Sequence, residues 1–410
     1  MRKTLVVGLL AASRALFAVP VSQGEEPLPP KLLQIANRSK LVYEIGSTPV
    51  KKPLSDVACE GTSSGFRAAR AGSAKVELVP WEPKPDAKPH FEEAERLFGA
   101  KQMDEALQAY DKGLALDPEY GPGWLFSGDV PFGKGDHLEA LRRYRQAIAL
   151  DPTLAQAHRF AAHALERLGR YDEARDEYLE ALLYRPGYKE ADQALRALAL
   201  QTDFWVRRVP FVPPAGLVGE RAGKNVPVGV AVGKEEEIPG WLTYAMCKAI
   251  WRNEDDYRAE RLGRREPYRL TLDEELECTK AYFEARVAAL PNPPGAGAEE
   301  DSSPTSMGGD SFADAPKDLR TLIEIYQTGV LPGYVLVEGL GARCPDIMRT
   351  LAPNGIEAAR RYLRESVIVR DRGTKSGPPT STAAPSPATP TVSPPADPSR
   401  GLLDAVPSRS

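Results

Sequence analysis

Asp136-His137-Leu138-Glu139-Ala140-Leu141-Arg142-Arg143-Tyr144-Arg145-Gln146-Ala147-Ile148-Ala149-Leu150-Asp151-Pro152 is the stretch on which the reading of this chain turns. Moving it by 34 residues in either direction lands on the same residue types: Glu105, Glu139 and Glu173; Ala106, Ala140 and Ala174; Tyr110, Tyr144 and Tyr178; Pro118, Pro152 and Pro186. Unlike residue types that coincide at one period over three copies are the mark of a repeated supersecondary unit. Apolar residues recur at helical spacing inside each copy, and the proline ends one helix before the next begins.

The columns resemble those of the tetratricopeptide repeat family, in which each unit is a pair of antiparallel helices. The places where such helices touch hold Ala94, Ala106 and Gly113, then Gly128, Ala140 and Ala147, then Ala162, Ala174 and Ala181. Short side chains are what allow helix axes to come close, and the tyrosine column would fill the space beside each small pair. The first copy is the weakest, with His90 and Glu93 where bulky apolar residues are usual. Pro131 falls inside the first helix of the middle copy, which it should kink or end early, widening the groove beside Phe132.

The resemblance implies that the first helices of successive copies line a concave groove for a peptide or protein segment. Carried over by position, the lining is Phe91, Glu95, Phe98, Leu125, Asp129, Phe132, Arg159, His163 and Glu166. Family members that take an acidic C-terminal peptide use Lys, Asn, Asn, Lys and Arg. Those positions hold Phe91, Glu95, Phe126, Gln156 and Phe160 here, so that ligand class is disfavoured. Between Phe91 and Tyr188 stand 12 basic against 18 acidic residues, which favours a basic-apolar partner segment.

Around the repeats the 410 residues, with 38 Pro and 34 Gly, divide unevenly. Residues 1–22 read as a signal peptide: Arg2 and Lys3, an apolar stretch from Leu5 to Ala12, then small residues, with Arg14 arguing against a stable membrane span. Residues 23–87 form an extension or linker with strand-like pieces at 41–45 and 75–79. The repeats and a capping helix take 88–201, and a Pro/Gly connector with extended or paired strands takes 202–238. A helical module occupies 239–370, with helices at 241–262, 272–290, 319–327 and 354–369 and a loop at 291–316. Thr271 and Glu274 have capping-box spacing, and Asn354 is placed to cap the last helix. Residues 371–410 form a disordered Pro/Ser/Thr/Ala tail. The fold class is therefore mainly α: a tetratricopeptide-type solenoid, then a small helical module, with disordered linkers and tail.

Cys59, Cys247, Cys278 and Cys344 include no CxxC pair, so disulfides suit an exported chain better than zinc, with Cys247 and Cys278 the favoured pair. All four histidines, His90, His137, His158 and His163, lie within the repeats and form no HExxH. The Gly339-Leu340-Gly341 segment lacks the remainder of a nucleotide loop, and a formal charge of −4 offers nucleic acid no attraction. Acids in the 239–370 module, Glu254, Asp255, Asp256, Asp273, Glu274, Glu275 and Glu277, are expected to face water at helix starts. Trp241, Tyr244, Trp251 and Tyr257 are expected in the core. The chain so read is a non-enzymatic adaptor without cofactor or metal, periplasmic or secreted, that holds protein; an enzyme with a carboxylate-based site in the C-terminal module is the alternative.

Overall fold

The computed structural model describes residues 28–46, 65–71, 75–211, 215–217, 221–230, 235–268, 270–290 and 315–370. The signal segment, Cys59, the loop to residue 314 and the tail lie outside them. Two compact units emerge: one of 62–177, 193–206 and 369–410, the other of 1–61, 178–192 and 207–368. Elements before the repeats are α1 (Leu28–Arg38), β1 (Val42–Gly46), β2 (Phe66–Ala71) and β3 (Lys75–Pro80). The repeats supply α2 (Lys88–Gly99), α3 (Met103–Leu116), α4 (Gly121–Gly133), α5 (His137–Leu150), α6 (Ala155–Arg167), α7 (Tyr171–Tyr184) and α8 (Lys189–Ala199).

Within the repeat unit α2 to α6 pack each against the next, and the small-residue columns explain how. Ala94, Ala106, Ala140, Ala147, Ala162 and Ala174 are fully buried, and Gly128 lies under the Tyr144 ring, where an added Cβ would stand 2.5 Å from a ring carbon. Phe91 covers Gly113 and Gly123 in the same manner, its ring 2.6–2.8 Å from the places their Cβ atoms would take. Each turn between the helices of a pair needs one left-handed residue, met by Gly135 (φ 87°) and Gly169 (φ 73°). In the first copy the equivalent place is Lys101 (φ 63°), a strained choice that fits its position at the array's start. Asp136 caps α5 by accepting from Glu139 N at 3.1 Å.

Two expectations are corrected here. Pro131 neither ends nor shortens α4, which runs on to Gly133; the proline forgoes the one backbone bond its own N–H would have made to Ser127 O, and the helix tolerates that single loss in its last turn. The segment before the repeats is more than a linker. β2 and β3 form an antiparallel hairpin whose Ala68 N donates to Asp151 Oδ2 at 3.2 Å. Trp81 is buried against Gly121, and its Nε1 donates to Glu119 O at 3.2 Å, which fixes it on the turn between the first and second pairs.

The second unit contains a three-stranded sheet. β5 (Ala215–Leu217) pairs antiparallel with β6 (Asn225–Val230), as the connector reading allowed, while β1 adds parallel to β6 with Tyr43 opposite Val226 and Ile45 opposite Val228. Val226 and Val228 point to the buried face, where α9 (Ile238–Asn253) packs. α10 (Asp255–Leu262), α11 (Leu272–Ala288) and α12 (Lys317–Gln327) follow, and α1 packs on both α9 and α11. Thr271 caps α11, accepting from Glu274 N at 3.2 Å.

Next comes α13 (Leu331–Tyr334), which continues through wide π turns (Val335–Leu340) to Arg343 as one buried helical run. α14 (Pro345–Thr350) and α15 (Pro353–Tyr362) complete the helices, and β4 (Phe204–Val206) and β7 (Ile368–Arg370) are short strands. Asn354 is not the cap of α15: the helix begins at Pro353 after Ala352, and Asn354 Oδ1 accepts instead from Gly355 N.

A disulfide joins Cys247 on α9 to Cys278 on α11 with Cα atoms 5.4 Å apart, and Cys344 is disulfide-bonded as well. Closing a loop with a sequence separation of 31 stabilises by about 3–4 kcal/mol when the effect is ascribed to chain entropy.

If the Gly128–Tyr144 approach holds the middle pair together, Gly128→Val lowers the unfolding free energy of the repeats by about 1–3 kcal/mol. Gly133→Val, where nothing lies within 4 Å of the added carbon, lowers it less. Urea titration followed by helical circular dichroism measures both.

Candidate functional site

The first helices of the pairs, α2, α4 and α6, carry the nine positions singled out from the sequence. The structure sorts them into two groups. Phe91, Leu125 and Arg159 are buried and therefore act as supports, with no side-chain surface for a ligand. The reason for Phe91 is the glycine pair beneath it, and Arg159 lies across the Phe160 ring at 4.4 Å. Glu95, Phe98, Asp129, Phe132, His163 and Glu166 are half-buried.

Two of the three carboxylates in this second group, Glu95 and Asp129, have the same kind of partner. Tyr110 OH donates to Glu95 Oε1, and Tyr144 OH donates to Asp129 Oδ1 at 2.8 Å, each bond spanning 15 residues from the first to the second helix of a pair. In the first two copies the tyrosine thus packs with its ring and orients an acid with its hydroxyl, while in the third the position 15 residues before Tyr178 is His163. Sequence reasoning placed the ring beside the small residues and missed the second role; the constant spacing of tyrosine and acid was the available signal. Phe132 stacks beside His137 with ring centroids 5.1 Å apart, so the α4–α5 end of the face is aromatic.

The histidines do not assemble into a catalytic or ligand set. His158 Nδ1 lies 2.7 Å from Glu177 Oε2 and Nε2 2.9 Å from Pro152 O, which fixes the third pair internally. Burial, with Arg159 and Arg167 nearby, pushes the His163 imidazole down to about 4. No group of three or more His, Cys, Asp or Glu side chains among the described residues is arranged to hold a metal ion.

Of the seven acids expected to face water, Asp255, Asp256 and Asp273 do so, Glu254 is half-buried, and three depart from expectation. Glu274, Glu275 and Glu277 are buried, because α9 and its neighbours bring donors to them. Lys248 Nζ contacts Glu274 Oε1 and lies 2.6 Å from Glu275 Oε1. Glu275 Oε2 accepts from Tyr244 OH at 2.9 Å and pairs with Arg343 Nη2 at 2.9 Å. Glu277 takes Trp251 Nε1 at 3.1 Å, Arg261 Nε at 2.9 Å and the Tyr257 hydroxyl. Trp241, Tyr244, Trp251 and Tyr257 are all buried with them. Lys248 is 1% exposed, and Glu274 and Glu275 are 0% exposed.

Helix pairs repeated at 34 residues on small-residue contacts define the class: an α-helical repeat array. Residues 132–199 match the tetratricopeptide repeat family, and this segment belongs to it. No curated protein matches the chain. Similar solved structures include the second tetratricopeptide domain of human RPAP3 in complex with an HSP70 peptide, at 24% identity over 28% of this chain and 98% of that one. The tetratricopeptide domain of Arabidopsis OM64 is 20% identical over 30% of this chain and 100% of its own, with a TM-score of 0.28. The TPR2B domain of yeast Sti1 in its pHsp70 complex is 21% identical over 28% and 98%, with a TM-score of 0.27.

Because the folded repeat holds His163 below its ordinary 6.5, the native state binds fewer protons than the unfolded chain between those values. Its contribution is full above pH 6.5 and is lost as pH falls toward 4. His163→Gln should flatten that part of the stability–pH curve of α4 to α6, measured as urea midpoints at pH 7 and pH 5.

Proposed function

We propose that this chain is a non-enzymatic adaptor whose repeats hold a peptide or protein segment along the face formed by α2, α4 and α6. The observation that carries the reading is the pair of carboxylates, Glu95 and Asp129, held in the same orientation one repeat apart by Tyr110 and Tyr144. Fixed acids lose little entropy when a cationic group arrives, and pre-organisation of this kind lowers the cost of association. Phe98 and Phe132, half-buried beside them, add apolar contact area, while Phe91, Leu125 and Arg159 form the floor on which the face rests. His163 and Glu166 extend the face onto α6.

The segment between Phe91 and Tyr188 has an excess of six acids, so the favoured partner is an extended or helical segment that mixes basic and apolar side chains. Nucleic acid is disfavoured by the same charge. We place the protein outside the cytoplasm, in the periplasm or secreted: the N-terminal residues have the order of a signal sequence, and cystine bridges such as Cys247–Cys278 persist in oxidising compartments. Among the described residues no helix is long and apolar enough to cross a membrane.

A peptide array spanning basic-apolar, acidic and neutral sequences tests the reading on the intact chain. Basic-apolar peptides should bind selectively, and Asp129→Asn or Phe132→Ala should weaken the best of them about tenfold, or roughly 1.4 kcal/mol. Equal weakness across all three classes, or binding unchanged in both variants, would remove the groove from the account.

A further inference from the structure

The interface between α9 and α11 buries two neighbouring carboxylates that share one ammonium group, and their surroundings are unequal. Glu275 has a donor on each oxygen, Lys248 on Oε1 and Tyr244 on Oε2, and Arg343 Nη2 forms an ion pair with Oε2 at 2.9 Å. Glu274 has both of its donors, Lys248 and Tyr268, on Oε1; Tyr268 OH is 3.1 Å away. Glu274 Oε2 has no hydrogen-bond partner among the described residues although the side chain is completely buried. An ionised carboxylate in a low-dielectric interior needs acceptor sites satisfied on both oxygens, whereas a carboxylic acid leaves only a neutral group unpaired. Two adjacent carboxylates that share a cation also resist double ionisation.

We propose that Glu274 is a proton-binding residue that makes the α9–α11 interface a pH-sensitive latch: it takes up a proton on folding, while Glu275 beside it stays ionised. The groups facing this site are few. α9 contributes Lys248 and Tyr244, and Arg252 from the same helix lies 5.9 Å from the Tyr268 ring. α10 contributes Arg258, 5.8 Å from that ring, and the helical run ending at Arg343 contributes its guanidinium to Glu275. Glu338, earlier in that run, is turned to Arg208 and Tyr362. α1 and α12 also pack on α11 but meet its other end, through Leu28 N to Glu284 and Asp318 to Arg286.

Burial raises the Glu274 carboxyl above its ordinary value, with Glu275 adding to the rise and Lys248 opposing it. Burial works on Glu275 in the same sense, yet Lys248 and Arg343 hold its carboxyl down to about 2. The signs then oppose each other. For Glu274 the native state binds the extra proton, so the interface weakens as pH rises from the ordinary carboxylate value through the raised one. For Glu275 the unfolded state binds it, so the interface weakens as pH falls from about 4.5 toward 2. The latch is firmest in mild acid, and the Cys247–Cys278 bridge keeps the two helices tethered when it loosens.

Amide hydrogen exchange of the full oxidised chain, corrected for intrinsic rates, reads the latch helix by helix. In the native protein, protection of α9 and α11 should fall as pH rises above the ordinary carboxylate range, by at most about tenfold per pH unit, the slope of one proton. Glu274→Gln, which keeps shape and removes the titrating group, should abolish that slope and leave protection equal or higher. Glu275→Gln should lower protection throughout. The infrared carbonyl band of a protonated carboxylic acid should persist in the native protein just above the ordinary carboxylate range, where exposed Asp and Glu are ionised, and be absent from Glu274→Gln. An unchanged slope in Glu274→Gln, or the missing acid band in the native protein, overturns the proposal, and the infrared measurement decides even where a variant folds poorly.

Discussion

The structure of the repeats depends on one steric constraint: an aromatic ring laid over a position that admits at most a very short side chain, Gly128 in the middle copy and Ala94 and Ala162 in its neighbours. Tyr144 over Gly128 is the instance inside the middle pair, and Phe91 over Gly113 and Gly123 applies the same rule at the first pair. Close approach of the two helices is what brings Tyr110 OH and Tyr144 OH within reach of Glu95 and Asp129. Packing and the orientation of the candidate binding face are therefore one interaction seen from two sides. A change that moves the ring off the glycine also releases the acid.

The second unit is held together on different terms. Its central helices bury Lys248, Glu274, Glu275, Glu277 and Arg286 along with Trp251, Tyr244 and Phe283. Breaking a buried ion pair is costly, but forming one contributes little net stability after desolvation. The covalent bridge between α9 and α11 and the aromatic cluster around Phe211, whose ring centroid lies 5.4–6.0 Å from those of Trp241, Tyr244, Tyr282 and Tyr334, supply what the charges do not. One unit is thus specified by shape repeated three times, the other by a single network that occurs once.

That difference explains how much could be read in the sequence. The 34-residue columns are local patterns, each explained by a contact between neighbouring helices, so the small-residue contacts were legible, and the Thr271 cap was legible from its own capping-box spacing while the Asn354 cap was not borne out. The role of Trp81 was hidden because a tryptophan in a proline-rich segment shows no periodicity. The helical run to Arg343 was missed because Val335, Val337, Gly339 and Gly341 argue against a helix locally, and only burial among other helices overrides them. Glu274 and Glu275 were misread for the same reason: acids at a helix start usually face water, and nothing in α11 alone announces Lys248 arriving from α9. Of the nine candidate groove positions, burial of Phe91 followed from the glycines at 113 and 123, which lie in other helices.

The account's central claim is that the repeats, through α2, α4 and α6, are the part of this protein that holds its partner. Hydrogen exchange of the intact chain with and without a saturating basic-apolar peptide tests this directly. The account predicts new protection confined to those three helices, strongest around Asp129 and Phe132, with α9 and α11 unchanged. Protection that appears in the second unit while α2, α4 and α6 exchange as before would contradict it.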